Sequence, residues 1–395
     1  MRTYLLLAAV IGIDFLLLLT QVGGLSIGYN EASILYGEFS PLQSLIKTSL
    51  HLFGQNDYAL RLPMIGLHLL SVVLLFAFSK HYVDRESDRL WIVLVYVLLP
   101  GVTSAALIVD NAGLMISLIF LFAFLHLNYG PYSLLIVPAL VWIDPAFAYL
   151  FFALVLYGIQ QKKYTYIGGG GVALAVSLYW YGIHVGGIPE SRFLDVMGVY
   201  AAIFSPIVFV YLFYVMYRRL IAKERDLLWM IAISAFLVSL FLSFRQRIEV
   251  QTFAPFVMLT LPMAAQMFLK TYRVRLREFR RRYRILFYSA FALLVMNALV
   301  VLANPLLYRF FEVPSRHFAY PMHVAKELAG ALKKEHVACV DANDERMQLR
   351  LRFYGITQCD SPRFMKVSTP GAKKVTISYI NEPVFITYVT KVNTR

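Results

Sequence analysis

Long apolar blocks, separated by short polar segments, run through the first three quarters of the chain. A helix needs about 20 mainly apolar residues to cross a bilayer, and about eleven blocks are long enough or closely enough paired to do so. They lie near residues 4–22, 63–80, 90–108, 112–127, 133–143, 145–160, 166–184, 197–217, 227–244, 253–269 and 285–304. The pattern predicts an all-α polytopic membrane protein.

The pattern changes from about Pro305. Residues 325–334 and 344–353 have helical spacing of apolar positions, and residues 337–340, 375–379 and 384–389 read as strands. The sequence therefore predicts a transmembrane domain over residues 1–304 and a small α/β domain over residues 305–395.

The polar segment 23–62 is unusually long for a connection between the first two spans. Within it, residues 41–53 predict an amphipathic helix that Ser40 caps and Gly54 ends. Leu42, Leu45, Ile46, Leu50 and Phe53 form the apolar face, and Gln43, Ser44, Lys47, Thr48 and His51 form the polar face. Such a helix beside two membrane anchors should lie in the lipid interface. Residues 29–38 would then lie near the headgroups.

Composition and charge agree with a membrane protein and give it an orientation. The chain is 59% hydrophobic and 15% charged, with a mean hydropathy of +0.64 and a net charge of +14. Residues 270–284 contain eight Lys or Arg residues against Glu278, so the positive-inside rule places this segment in the cytoplasm. The N-terminus is then cytoplasmic, while segment 23–62 and the C-terminal domain lie outside the plasma (inner) membrane. We expect anionic lipid headgroups, not nucleic acid, to meet this basic run.

Both cysteines, Cys339 and Cys359, lie in the C-terminal domain. In an oxidising compartment they would form a disulfide that stabilises the domain by about 3 kcal/mol. The alternative is two separate reduced thiols. Neither their spacing nor their neighbours indicate a metal site.

Two acids, Glu31 and Asp110, stand at the outer ends of predicted spans. A carboxylate at the interface can act as a general base, and two close carboxylates can share a cation. Alternatively, Glu31 pairs locally and Asp110 caps the following span. Asn30, His51 and Asp144 are candidates for accessory groups, and the alternative for Asp144, which precedes Pro145, is that it only starts a helix.

Arg61, Arg245 and Arg247 also fall on the predicted outer side. The forked guanidinium group suits a phosphate, so these residues are candidates for binding a lipid-linked phosphate. The alternative is that their side chains extend to the headgroups of surrounding lipids.

Residues 1–130 contain a series of short motifs: Asn30-Glu31-Ala32, Ser40-Pro41-Leu42, Leu52-Phe53-Gly54 and Ala59-Leu60-Arg61-Leu62-Pro63. Their order resembles the GT-C glycosyltransferases that use polyprenyl-phosphate sugars, a group that includes protein O-mannosyltransferases and aminoarabinose transferases. Segment 100–114 resembles the second acidic signature of the family, with Asp110 as the acid. Asn30 stands where the family has an acid, and Asp144 stands where it has a lysine.

The resemblance implies an inverting transfer of a sugar from a polyprenyl-phosphate donor to an extracytoplasmic glycan, lipid or protein. Glu31 and Asp110 would be the catalytic acids, holding a divalent metal ion if one is used. Arg61, Arg245 and Arg247 would bind the donor phosphate. The alternatives are a transporter or lipid flippase, and a non-catalytic scaffold of the same fold. A transporter should carry charges at mid-membrane and two symmetric halves, and the sequence shows few such charges and no such symmetry.

Overall fold

The computed structural model describes residues 2–182, 192–276, 278–365 and 372–390. The sequence also predicts an outer loop over residues 185–196, and most of it lies outside the described residues. The chain forms two compact units, of which the first comprises Met1–Phe15, Gly66–Ala106 and Asn111–Ala298. The second comprises Leu16–Ile65, Leu107–Asp110 and Leu299–Arg395. The predicted domain division at residue 305 stays a prediction.

Helices make up most of the described chain. They are α1 (Arg2–Gly24), α2 (Tyr29–Tyr36), α3 (Pro41–Phe53), α4 (Asp57–Phe78), α5 (Glu86–Val97), α6 (Pro100–Leu107), α7 (Asn111–Tyr129), α8 (Val137–Ile143), α9 (Ala148–Gln161), α10 (Tyr164–Tyr181), α11 (Phe193–Phe204), α12 (Pro206–Ala222), α13 (Leu227–Ser243), α14 (Val250–Val257), α15 (Leu261–Val274), α16 (Arg280–Leu302), α17 (Ala325–Lys334) and α18 (Glu345–Phe353).

Five continuous helical segments of the described chain are long and apolar enough to cross a membrane. They are Arg2–Gly24, Asp57–His81, Asn111–Ile143, Val250–Val274 and Arg280–Leu302. The number rises to seven if the bent pairs α5–α6 and α11–α12 are each one span. The prediction of a mainly helical, multi-span protein is confirmed, whereas the number of eleven spans is not.

Prolines explain the two bent pairs, for which the sequence predicts the continuous spans 90–108 and 197–217. Helices α5 and α6 meet at 66°, and α6 begins at Pro100. Helices α11 and α12 meet at 106°, where Ser205 adopts a φ of 66° directly before Pro206. Proline suits the first position of a helix but disfavours helical geometry in the residue before it, so the chain turns at these points.

The first unit has an aromatic core and a very close contact between α9 and α10. The Tyr200 ring stacks on Phe209 at 5.5 Å, and its hydroxyl bonds to the Ser239 hydroxyl at 2.8 Å. Gly170 of α10 faces α9, where an added Cβ atom would lie 2.8 Å from Leu154 Cβ. This glycine therefore allows the two helices to approach closely.

The second unit contains a small antiparallel sheet. Its strands are β1 (Phe364–Met365), β2 (Lys373–Tyr379) and β3 (Glu382–Val389), in the order β1-β3-β2. Apolar side chains of β2 and β3 join those of α17 and α18 in one core: Val375, Ile377, Val384, Val389, Leu328, Leu332 and Leu351. The predicted C-terminal helices and the last two strands are present, whereas the predicted strand 337–340 forms only one isolated bridge, Cys339 to Thr357.

Cys339 and Cys359 are bonded to each other, with their Cα atoms 5.6 Å apart. The bridge joins the segment after α17 to the segment after α18. It therefore closes a loop that contains the whole of α18.

Candidate functional site

Helix α3 begins and ends at the predicted residues because its local signals are strong. The Ser40 hydroxyl accepts the Gln43 N–H at 3.0 Å, and Pro41 occupies the first position. The prediction for Gln43 was wrong, since it is buried instead of lying on the polar face. Its amide donates to the carbonyls of Ile34 and Gly37, each at 2.9 Å. These bonds supply donors to carbonyls at the end of α2, which the helix itself leaves unpaired.

Glu31 forms a fully buried ion pair with Arg61 at 2.9 Å. Helix α2 positions the carboxylate, because Glu31 lies in its first turn and accepts the Gly28 N–H at 2.7 Å. The other carboxylate oxygen accepts the Val109 N–H at 2.9 Å. Both oxygens of Glu31 are thus engaged by N–H donors.

The Arg61 side chain holds several backbone segments at once. Its Nε donates to the Leu107 carbonyl at 2.8 Å, and one terminal nitrogen donates to the Ser26 carbonyl at 2.9 Å. The other terminal nitrogen lies 3.9 Å from the Asp57 carboxylate. A planar guanidinium group with donors in fixed directions is suited to such a junction.

Glu31 and Arg61 together fix the backbone that leads to Asp110. Their contacts to Val109 and Leu107 fall within three residues of Asp110, whose side chain is half-buried. The environment of Glu31 does not fit a metal ion, since a guanidinium group and backbone N–H groups would repel a cation. Within the described ranges, no group of three or more His, Cys, Asp or Glu side chains could hold one.

The C-terminal segment of the second unit contributes residues to this arrangement that the sequence analysis does not predict. Arg350 of α18 donates to the Ile27 carbonyl at 2.8 Å. The Tyr354 hydroxyl accepts the Ile27 N–H at 2.9 Å and donates to Asp57 at 2.7 Å. Lys326 pairs with Asp57 at 2.9 Å. Burial lowers the pKa of the Arg350 guanidinium, and burial together with Asp57 raises the pKa of the Tyr354 hydroxyl.

One sequence signal would have identified Arg350. It shares a helical face with Met347 and Leu351, three residues before it and one residue after it, and all three are buried. A basic residue on an apolar face of a small domain requires a buried acceptor or acid. Two further arginines of α18, Arg346 and Arg352, place their guanidinium groups over the rings of Tyr29 and Tyr36 in α2, at 5.4 and 4.4 Å.

Asp144 caps a short turn in the first unit. One carboxylate oxygen accepts the Ala146 N–H at 2.8 Å, and the other accepts the Asn111 side-chain amide at 2.7 Å. Burial raises the pKa of this carboxyl. Asn111 is the residue after Asp110 in the sequence, so the start of α7 is held by Asp144.

The remaining candidates are exposed. Arg245 and Arg247 lie in the connection between α13 and α14, Asn30 lies in the first turn of α2, and His51 lies on α3. Their exposure is compatible with contact to a ligand or to lipid headgroups. Their roles stay predictions.

Comparison with known proteins shows the fold. No family model matches the chain, and no curated protein matches it. The chain is similar to ArnT from Cupriavidus metallidurans bound to undecaprenyl phosphate, with a TM-score of 0.59 and 12% identity over 99% of this chain and 98% of ArnT. It is also similar to the apo state of the same protein, with a TM-score of 0.54 and 12% identity over 98% and 97% of the two chains.

The chain has the GT-C-like fold of ArnT. ArnT is an aminoarabinose transferase of the GT-C family, so the resemblance expected from the motifs is confirmed at the level of fold. The match extends over nearly the whole of both chains and is therefore not limited to residues 1–130, where the sequence motifs lie. The protein is a multi-pass membrane protein.

Proposed function

We propose that this protein is an integral membrane glycosyltransferase that takes a sugar from a polyprenyl-phosphate donor and transfers it to an extracytoplasmic acceptor. The observation that carries the proposal is the end-to-end fold likeness to ArnT, whose solved structure holds undecaprenyl phosphate. The ordered segment between α1 and α4, with its buried Glu31–Arg61 pair, supports a specialised outer surface.

The proposal includes the orientation derived from charge. The basic segment 270–284 lies in the cytoplasm, and the C-terminal domain and helices α2 and α3 lie outside. If the two bent pairs and the two shorter apolar helices also cross, the described chain has nine crossings, and this odd number likewise places its two ends on opposite sides of the membrane. The exposed side chains of Leu45, Leu52 and Phe53 on α3 support a position in the lipid interface.

Asp110 is the general base in this proposal. Its carboxylate takes the proton of the acceptor hydroxyl as the hydroxyl oxygen attacks the anomeric carbon. The bond from that carbon to the donor phosphate breaks, the phosphate leaves with the electron pair, and the configuration inverts. The role of stabilising the charge of the departing phosphate stays with Arg245 and Arg247 as the sequence predicts it. Glu31 and Arg61 are positioning residues, because their polar atoms are already bonded to the backbone before Asp110.

A second candidate, transport of a lipid or small solute, rests on one ion pair. Asp14 of α1 and His68 of α4 are in contact at 2.6 Å within helices long enough to span the membrane. The sequence reading had found few such charges. Intramembrane ionisable residues often mark transport pathways. A single ion pair between two side chains can also have the structural role of joining two helices. For this reason we place transport second.

The deciding experiment is mass spectrometry of envelope glycans and lipid-linked sugars in cells that lack the protein. We expect one sugar modification to disappear and its polyprenyl-phosphate donor to accumulate, and the wild-type gene to restore both. Asp110→Asn should fail to restore them while the variant is present at the wild-type level. Restoration by Asp110→Asn would overturn the base assignment. Unchanged glycans and donors in the cells without the protein would overturn the glycosyltransferase proposal.

A further inference from the structure

A cavity of about 470 Å³ lies among α5, α12, α15 and α16, and the residues that line it all belong to the first unit. Its walls are mainly apolar and aromatic: Trp91, Tyr211, Phe268, Phe287, Phe291 and Leu294. We propose that this cavity holds an acyl chain of an anionic phospholipid whose headgroup is bound by arginines at the connection between α15 and α16.

The dimensions suit a hydrocarbon chain. Along α16 the lining runs from Tyr283 to Leu294, which corresponds to about 16 Å at the rise of an α-helix. The volume falls within the roughly 300–1,000 Å³ of ordinary ligand pockets. A long cavity with apolar walls excludes water but accepts an extended chain of methylene groups.

The packing of α16 explains why the cavity exists. Among the described residues of this helix only Leu294 and Ala298 are buried. Aromatic side chains separate it from its neighbours, with Trp91 lying 5.4 Å from Phe287, and Phe268 lying 5.3 Å from Phe287 between ring centres. The rings hold α16 away from α5 and α15 and leave the space between them.

The charged end of the cavity determines which lipid fits. Arg284 lines this end, together with Asp88, which is paired with Arg273. Arg275 lies over the ring of Tyr283 at 4.0 Å. Segment 270–284 contains eight basic residues against the single acid Glu278, so a large positive excess remains after the Asp88 pair.

Arginine binds phosphate through its forked donors, and clusters of basic residues next to a span attract anionic lipids. The proposed orientation puts this end in the cytoplasm, where the charged headgroup of a cytoplasmic-leaflet phospholipid lies. The phosphate of a donor used outside the membrane lies on the opposite side. We therefore assign the cavity to a phospholipid rather than to the sugar donor.

The test uses the full-length protein in nanodiscs of equal phosphatidylglycerol and phosphatidylcholine, followed by native mass spectrometry of the released protein. We expect wild type to retain phosphatidylglycerol at least tenfold over phosphatidylcholine. Ala290→Phe fills the cavity and should abolish this retention. Ala292→Phe adds the same ring to the same helix at an exposed position outside the lining, and should retain the lipid.

Two variants that each remove one arginine charge test the binding of the headgroup independently of the cavity. Arg284→Gln should reduce retention severalfold, while Arg282→Gln, exposed and outside the lining, should reduce it less. Equal retention of both lipids by wild type, or unchanged retention by Ala290→Phe, would overturn the proposal. If added undecaprenyl phosphate displaced phosphatidylglycerol from the wild-type protein, the cavity would be assigned to the donor and the proposal would also be overturned.

Discussion

The Glu31 carboxylate accepts the backbone N–H of Val109 at 2.9 Å, one residue before Asp110. The most prominent acid of the sequence is therefore a fixed acceptor inside the fold, and its position determines that of the backbone next to a second acid. Arg61 reinforces this by bonding the Leu107 carbonyl at 2.8 Å. The two carboxylates that looked equivalent in the sequence thus have different roles in the proposed mechanism.

Glu31→Gln should lower stability and activity together. The neutral amide leaves the Arg61 charge buried without its partner, and breaking a buried pair costs about 3–5 kcal/mol. Thermal unfolding of the purified protein, measured beside transfer activity, checks this. We expect a lower midpoint of unfolding and an activity that partly recovers when the protein is assayed well below that midpoint.

Asp110→Asn is the matched comparison for Glu31→Gln, since it makes the same chemical change at the proposed base. Loss of a general base lowers the rate by about 10²–10⁴-fold. We expect this loss with a much smaller change in midpoint than for Glu31→Gln. If Glu31→Gln instead unfolds like wild type and has no activity at any temperature, Glu31 is the base and the positioning role is wrong.

Local signals explain what the sequence predicted well. Helix α3 has its cap, its proline and its terminal glycine within the segment itself, and α17 has a clear apolar spacing. The contacts of Gln43 and Arg350 depend on residues distant in sequence, so residue type and periodicity alone placed them wrongly or missed them. Helix α2 was also missed, because only eight residues form it and Glu31 supplies its capping bond.

Gly170→Ala should destabilise the first unit. The added methyl group would lie 2.8 Å from Leu154 Cβ and 3.0 Å from the Phe151 carbonyl oxygen, so α9 and α10 must separate. Overpacking of this kind costs about 1–3 kcal/mol. A fall in the thermal midpoint of the detergent-solubilised protein measures it.

Gly168→Ala and Gly171→Ala are the controls in the same helix. An added Cβ atom at either position meets no atom within 4 Å. Alanine favours a helix by about 0.5–1 kcal/mol over glycine, so these variants should be neutral or more stable. Equal destabilisation by all three variants would show that helix flexibility, not close packing, is the property these glycines provide.

Acid should destabilise the C-terminal domain through His323. Burial, His317 and Arg350 lower the pKa of this imidazole to about 4. In the unfolded chain this histidine has its ordinary pKa of about 6.5, so between pH 6.5 and pH 4 it binds a proton that it does not bind in the folded state. Stability is therefore full above pH 6.5 and falls as the pH drops towards 4, by up to about 3 kcal/mol.

Hydrogen exchange of C-terminal peptides in the full-length protein, measured from pH 7 to pH 4 and corrected for the intrinsic rate, detects this change. His323→Asn should reduce the pH dependence without abolishing it, because burial also lowers the pKa of His317. His336→Asn changes an exposed histidine and should leave the dependence as in wild type. An identical pH dependence in His323→Asn would refute the assignment.

The disulfide provides a test of both stability and orientation. Closing a loop of this length stabilises a domain by about 3 kcal/mol, so replacing both Cys339 and Cys359 by serine should raise hydrogen exchange throughout α18. Thiols facing the cytoplasm are kept reduced, whereas those outside oxidise. In intact cells, a reductant that does not cross the membrane should therefore be required before a maleimide labels these cysteines. Labelling of intact cells by a membrane-permeant maleimide at neutral pH without any reductant would place the C-terminal segment in the cytoplasm and remove the proposed acceptor side of the enzyme.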